Sequence, residues 1–215
     1  MPGFVLALLA AVLDLLAAAL GLDGVRVVTK PLPALILAVL AWRAGSRPCR
    51  ILALGLLFAA AGDELLLNTG DAFFLSGMLA FAAMHITYIR AYFSNGAVRR
   101  PGGTAQALTM VYAIVLVLAL AYLIPIAGTF KVPLVLYGLL LAFMAAYAAQ
   151  MPRATAIGGA IFMLSDLTLA FAKFAGLPLA PRLTELAVMT TYFAAQILIA
   201  YGMTRTQSAP GVTAS

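Results

Sequence analysis

Charged side chains are scarce in this sequence of 215 residues, where Lys, Arg, Asp and Glu together make up 9%. Soluble domains carry about 25% charged residues, so the composition excludes a chain surrounded by water. The hydrophobic share is 65%, which is more than the core of a soluble fold of this length can bury. A lipid bilayer solvates such side chains when the backbone groups are hydrogen-bonded internally. The sequence therefore predicts an integral membrane protein built from α-helices.

Cysteine and histidine are nearly absent as well. Cys49 is the only cysteine, which excludes an internal disulfide and a Cys-rich metal site. His85 is the only histidine, whereas a zinc-dependent membrane hydrolase of the ceramidase type needs several, so we expect no metal and no cofactor. The net charge of +6 comes from cations spread through short connectors. Because they form no basic stripe or tail, we expect no nucleic-acid partner.

Eight apolar runs predict eight transmembrane helices. They cover residues 4–22, 31–43, 50–67, 72–93, 106–126, 131–149, 154–173 and 182–203. The second run is short and begins Lys30-Pro31-Leu32-Pro33, where proline in a first helical turn is a start signal. No cation precedes Arg26, so the first run is expected to remain as a helix rather than be cleaved as a signal peptide. We expect one transmembrane domain over residues 1–205 and a polar tail over 206–215.

The distribution of cations predicts the orientation. With the N-terminus inside, the inner connectors and tail hold eight cations: Arg43, Arg47, Arg50, Arg90, Arg99, Arg100, Arg153 and Arg205. The outer connectors hold five: Arg26, Lys30, Lys131, Lys173 and Arg182. The positive-inside rule then places both termini in the cytoplasm. We expect the chain to reside in a bacterial inner (plasma) membrane.

Short matches between the two halves favour an internal repeat. Lys30-Pro31-Leu32-Pro33 returns loosely as Lys131-Val132-Pro133-Leu134, and Gly62-Asp63 returns as Ser165-Asp166. Four spans separate the copies, and an even number preserves orientation. The pattern is therefore typical of two parallel four-helix repeats, in which the third and seventh spans each place one carboxylate at similar depth.

Three aspartates interrupt the apolar runs: Asp14, Asp63 and Asp166. An aspartate near the centre of a membrane helix costs roughly 2.5–3.5 kcal/mol on insertion scales, so each is a candidate for function. Small residues precede both Asp63 and Asp166, which permits close approach of a neighbouring helix. Asp14 has an equally good structural interpretation, since it could pair with a cation on a neighbouring helix.

Four polar side chains are aligned in pairs within two other spans. His85 and Tyr88 stand three residues apart in the fourth span, and Tyr192 and Gln196 stand four apart in the eighth. Each pair shares one helix face, which favours a common polar pocket. Lys30 and Lys131 fall at outer helix ends, where a long cationic side chain usually snorkels to the membrane surface. Binding of a phosphate is the alternative interpretation.

These residues together resemble the lysoplasmalogenase family, the YhhN-like membrane proteins. The matching features follow the family's order from about residue 30 to 200: Thr29-Lys30-Pro31-Leu32-Pro33, Gly62-Asp63, Phe81, His85, Tyr88, Gly159-Ala160, Phe162, Ser165-Asp166, Leu169-Ala170, Tyr192 and Ala195-Gln196. The resemblance implies an eight-helix fold and hydrolysis of the alkenyl ether of lysoplasmalogens to a fatty aldehyde and a glycerophospho-alcohol. It also implies that Asp63 and Asp166 match the family's two essential acids.

The expected partners are a lysophospholipid substrate and membrane lipid. A vinyl ether hydrolyses when its β-carbon is protonated, which needs a neutral acid and a nearby anion, as in paired glycosidase carboxylates. Two carboxyls in a low-dielectric site supply both, because they do not easily ionise together. The hypothesis assigns catalysis to Asp63 and Asp166, in either order. The substrate-binding candidates are Lys30, His85, Tyr88, Tyr192 and Gln196, and Asp14 and Ser165 are further candidates.

Two other functions remain open at the level of sequence. Membrane acids and parallel repeats also suit a small proton-coupled transporter. A lipid-binding helix bundle without catalysis is the second alternative, and it would tolerate Asp→Asn changes.

Overall fold

The computed structural model describes residues 2–97 and 102–206. Within these residues every regular element is helical. The α-helices are α1 (Pro2–Leu20), α2 (Asp23–Thr29), α3 (Leu32–Arg43), α4 (Arg47–Leu65), α5 (Asp71–Ser94), α6 (Gly103–Leu123), α7 (Lys131–Ala148), α8 (Arg153–Phe174) and α9 (Pro181–Thr206). A 3₁₀ turn, Gly128–Phe130, precedes α7. Arg99, Arg100 and the tail beyond Thr206 lie outside the described residues.

Seven helical segments of the described residues are long and apolar enough to cross a membrane. Five of them are single helices, namely α1, α5, α6, α8 and α9. The other two are α2 together with α3, and the 3₁₀ turn together with α7. The remaining predicted span, residues 50–67, corresponds to α4, which has Arg47 and Arg50 in its first turn and Asp63 and Glu64 near its end. The all-α membrane fold is thus confirmed.

The second span is longer than predicted. The predicted start at Pro31 is correct for α3, since Pro31 is its N-cap and Pro33 lies in its first turn. The sequence pattern missed α2, which adds seven residues before a break at Lys30 and Pro31. Proline has no N–H to continue the hydrogen bonding of α2, so the helix ends there and a new one begins. As a result Arg26 and Lys30, interpreted above as connector residues, are buried.

Both described ends of the chain lie at the same end of the bundle. The ring of Phe4 packs edge-on against Tyr201, with centroids 5.5 Å apart. At the opposite end of the same two helices, Arg182 Nη1 donates to the carbonyl of Ala19 at 3.1 Å. α1 and α9 are therefore antiparallel, as an even number of crossings requires.

Helix pairing follows the same scheme in the two halves. In the first half α3 packs on α4 and α4 on α5, while in the second α7 packs on α8 and α8 on α9. Across the halves, α5 packs on α7 and α9 on α3. Gly55 and Gly158, 103 residues apart, allow the close packing of α4 on α5 and of α8 on α9 within each half: a Cβ would lie 2.5 Å from Thr87 Oγ1 at Gly55 and 2.9 Å from the Ala195 carbonyl at Gly158. The pairing agrees with the predicted parallel repeat, although Lys30 is buried and Lys131 is exposed.

Candidate active site

Asp63 and Asp166 line one pocket between the halves of the bundle. Asp63 follows the start of α4 by 16 residues, and Asp166 follows the start of α8 by 13. At 1.5 Å per residue, their depths along the two helices differ by about one turn. This pocket, called here the inner pocket, is narrow, with a cavity volume of about 80 Å³, and its other lining residues are mostly apolar. The two candidate acids are thus brought to a common, largely apolar space.

Asp63 is 2% exposed and has polar partners from two directions. Its Oδ2 accepts a hydrogen bond of 2.8 Å from the hydroxyl of Tyr192 on α9. The ammonium group of Lys30, which lines the same pocket, interacts with it electrostatically. A Cβ at Gly62 would lie 2.7 Å from the Phe81 ring, and that ring packs edge-on against Tyr192. Glycine at position 62 therefore lets Phe81 hold the Tyr192 phenol against the carboxylate.

Asp166 has a different set of partners. Its Oδ2 accepts a hydrogen bond of 2.6 Å from the hydroxyl of Tyr137 on α7. His85 Nε2 lies 3.6 Å from the same oxygen and 3.2 Å from the Tyr137 hydroxyl. His85 is fully buried against Phe162, and its Nδ1 has no hydrogen-bond partner within the described residues. The Asp166 side chain remains 11% exposed.

Each acid receives one partner from its own half and one from the other half. The partner from the same half is Lys30, in the second span of the first half, for Asp63, and Tyr137, in the second span of the second half, for Asp166. Tyr192 and His85 come from the last span of the opposite half in each case. Both carboxyls thus accept a hydrogen bond from a phenol but are surrounded unequally, because the second partner is the ammonium group of Lys30 for Asp63 and the imidazole of His85 for Asp166.

Tyr137 was missed by the sequence analysis. It lies in an apolar stretch of α7 and aligns with no polar residue of the first half. The chain holds eight tyrosines, and no local pattern distinguishes this one. Only the packing of α7 against α5 and α8 brings it to Asp166.

Lys30 lies at the junction of the inner pocket with a wider space, called here the vestibule. The vestibule has a cavity volume of about 500 Å³ and contains Lys173, Thr184 and Glu185 together with the connector from α8 to α9. Lys30 lines both spaces and is 5% exposed. The interpretation that it snorkels to the surface is wrong, since its side chain is buried within the helix bundle. Lys131, by contrast, is exposed.

Tyr88 and Gln196 hydrogen-bond to each other, with the Tyr88 hydroxyl donating to Gln196 Oε1 at 2.5 Å. The Gln196 amide also lies 3.4 Å from the sulfur of Met84. Neither residue lines the inner pocket. Gln196 stands one turn after Tyr192 on α9, so this pair lies next to Tyr192 but outside the inner pocket.

Residues 25–203 match the YhhN family. This chain belongs to the YhhN family. It is 35% identical to lysoplasmalogenase TMEM86A of Bos taurus over 159 residues, which is 68% of this chain and 62% of that protein. It is 32% identical to lysoplasmalogenase TMEM86B of Sus scrofa over 191 residues, covering 85% and 76% of the two chains. With lysoplasmalogenase TMEM86B of Homo sapiens the identity is 34% over 173 residues, covering 79% and 71%.

The match spans less than two thirds of the length of the bovine relative. No solved structure matches the chain. Asp63, Asp166 and their partners all fall within the segment that matches the YhhN family, whereas Asp14 precedes it.

Asp14 lies outside both pockets of this YhhN-family protein. Its Oδ1 accepts a hydrogen bond of 2.8 Å from Thr29 Oγ1 and lies 3.4 Å from Arg26 Nε. Arg26 also forms an ion pair with Glu185 at the start of α9. Pairing with a cation on a neighbouring helix, the structural interpretation, is thus the one that the structure supports. The network ties α1, α2 and α9 together beside Lys30.

Ser165 lines the inner pocket, but its hydroxyl is engaged. It donates to the carbonyl of Val188 on α9 at 2.9 Å. This bond fixes α8 to α9 next to Asp166. Across residues 2–97 and 102–206, no three His, Cys, Asp or Glu side chains form a group that could hold a metal ion.

Proposed function

We propose that this YhhN-family protein is an intramembrane hydrolase that cleaves the vinyl-ether bond of lysoplasmalogens. The observation that carries the proposal is the convergence of Asp63 and Asp166 on one narrow apolar pocket, which adjoins a wider vestibule that also holds the charged groups of Lys30, Lys173 and Glu185. A lysophospholipid has the same division into a single chain and a charged headgroup. The relatives named lysoplasmalogenase support the same reaction class.

The reaction begins with proton transfer to carbon. One carboxyl donates its proton to the β-carbon of the alkenyl group, whose π electrons form the new C–H bond. The positive charge is then shared between the α-carbon and the ether oxygen, and the other carboxylate stabilises it, as in glycosidases. Water adds to the α-carbon and gives up a proton to the carboxylate that protonated the alkene, which restores that acid. The resulting hemiacetal then collapses: its hydroxyl group loses a proton to become the aldehyde carbonyl, and the glycerol oxygen takes up a proton and leaves as an alcohol. The products are a fatty aldehyde and a glycerophospho-alcohol, and one water molecule is consumed.

The partners of the two acids suit this chemistry. The phenols of Tyr192 and Tyr137 hold one oxygen of each carboxyl at 2.8 and 2.6 Å, which fixes the direction of the other oxygen. Positioning of this kind lowers the barrier because the reacting groups need not be ordered during the reaction. We assign the unpaired Nδ1 of His85 to a water molecule and the Tyr88–Gln196 pair to the support of Tyr192.

The headgroup is assigned to the vestibule. Lys30 stands at the neck between the two spaces, and a buried ammonium group there can attract a lipid phosphate. Lys173 lies on the outer side of the vestibule and is bound to Asp71 at 3.0 Å. A lysolipid with its phosphate near Lys30 places its alkenyl ether between the phosphate and the chain, within the part of the pocket that holds the two acids.

Purified protein in detergent tests the proposal directly. We expect release of fatty aldehyde in proportion to the lysoplasmalogen added, because a hydrolase needs no second compartment. A transporter or a non-catalytic lipid-binding bundle would release none. The measurement is mass spectrometry of trapped aldehyde and of the glycerophospho-alcohol, with an inactive preparation of the same protein as control. Binding of the lipid without either product would refute the proposal.

We also propose that the chain lies in a bacterial inner membrane with both termini in the cytoplasm. Eight cations on the inner side against five on the outer side support this orientation. Reporter fusions after Thr204 and within residues 96–104 are expected to report the cytoplasmic side. An external signal at either point would reverse the orientation and, with it, the side to which the vestibule opens.

A further inference from the structure

One wall of the inner pocket is an aliphatic stripe on α6. The stripe runs from Leu116 through Ala119 and Leu120 to Leu123, a spacing that places all four side chains on one helix face. The opposite face of the same helix points outward, and Leu118 on it is 65% exposed. α6 therefore presents an apolar strip of about two turns to the pocket and a separate face to the surroundings.

The facing wall is formed by α7. Leu134, Gly138 and Leu141 line the pocket on the same helix face as Tyr137, which holds Asp166. The position next to Tyr137 has no side chain, and a Cβ at Gly138 would lie 2.8 Å from Leu116 Cδ1. The gap between α6 and α7 thus lies beside a candidate catalytic acid. At Gly138 the gap is closed by the side chain of Leu116, which packs directly against the glycine.

We propose that Gly138 and Leu116 determine the length of the hydrocarbon chain that the protein accepts. The proposal rests on the proposed function, since it assigns the chain of the same lysolipid. With the headgroup in the vestibule and the ether bond at the two acids, the α6–α7 gap is an apolar space next to Asp166 that can receive the chain. Each methylene that it buries contributes about fourfold in affinity, so a change in the usable length alters affinity in steps.

Two substitutions are expected to act in opposite directions. Gly138→Leu displaces the Leu116 side chain into the gap, because even a Cβ at this position would lie 2.8 Å from Leu116 Cδ1. We expect the ratio of kcat/KM for an 18-carbon chain over a 10-carbon chain to fall by at least about tenfold, as the loss of two or more buried methylenes implies. Leu116→Ala enlarges the gap and is expected to raise the same ratio. Leu118→Ala removes an equal volume from the outward face of α6 and is expected to leave the ratio unchanged.

Binding of saturated 1-alkyl lysophospholipids of 10 to 18 carbons provides a readout that needs no turnover. Ligand-induced increases in melting temperature are measured for the same variants, and the chain preference is expected to shift as in the kinetic assay. Gly138→Ala replaces Gly138→Leu if the larger side chain prevents folding, and Leu116→Ala tests the opposite direction in any case.

The outcomes separate this inference from the proposed function. If lysoplasmalogens are not cleaved but the binding preference shifts with Gly138 and Leu116, the proposed reaction fails and the chain site stands. If both variants keep the wild-type chain preference in binding and in turnover, the chain site is refuted whatever the reaction.

Discussion

Asp63→Asn and Asp166→Asn are each expected to abolish measurable turnover, with kcat lower by about two to four orders of magnitude. An amide keeps the shape of the carboxyl and can still accept the hydrogen bonds from Tyr192 or Tyr137. It can neither donate the proton to carbon nor balance the cation that follows. Because the change is isosteric, the variants should fold and insert normally. Turnover is measured as aldehyde released per protein, next to melting temperature and elution profile in detergent.

Two carboxyls outside the pocket provide matched controls. Glu64 follows Asp63 directly in α4 but does not line the pocket, and Asp71 is exposed and bound to Lys173. Glu64→Gln and Asp71→Asn remove a charge of the same sign and are expected to retain activity. Near-normal turnover in either pocket variant would remove that residue from the mechanism, and loss of activity in Glu64→Gln would indicate a general effect of charge.

Turnover in heavy water is expected to give an aldehyde that carries one deuterium at C2 and to proceed more slowly than in light water. The proton that reaches the β-carbon exchanges with solvent through the donating carboxyl, and it is in transfer at the transition state when carbon protonation limits the rate. A saturated ether of the same lipid has no alkene to protonate and should not react. The label is located by mass spectrometry of the trapped aldehyde.

Enolisation of the product can add deuterium after the reaction, so unlabelled aldehyde incubated in parallel gives the background. An esterase or phosphodiesterase acting on the same lipid would leave the alkenyl chain intact and release no aldehyde. Enzymatic aldehyde with no deuterium above that background would contradict the carbon-protonation mechanism while leaving the substrate correct.

The unequal surroundings of the two acids bear on both experiments. Lys30 interacts electrostatically with Asp63, whereas Tyr137 and His85 lie within 3.6 Å of a carboxyl oxygen of Asp166. The two carboxyls therefore lie on similarly placed helices, α4 and α8, but in chemically different surroundings. The difference arises outside the repeat, since Lys30 corresponds to Lys131 in the second half and Tyr137 corresponds to no polar residue of the first half.

The amino-acid sequence by itself determined the membrane fold and the two candidate acids. Composition alone requires lipid as the solvent, and runs of apolar residues with short connectors define where helices cross. Asp63 and Asp166 are identifiable because a carboxyl is costly in such a run whatever its neighbours are. These properties depend on local residue types, so they are visible without a fold.

The tertiary structure decided which side chains meet. α2 is a seven-residue helix too short to be recognised by its apolar length, and only the fold shows that Lys30, which follows it, is buried in the same pocket as Asp63. Tyr137 hydrogen-bonds to Asp166, and Asp14 binds Arg26 and Thr29 outside the pocket. These contacts join different helices. Such contacts depend on helix rotation and crossing rather than on residue type. The membrane fold could therefore be predicted, and Asp63 and Asp166 stay the predicted acids, whereas the partners that surround them required the fold.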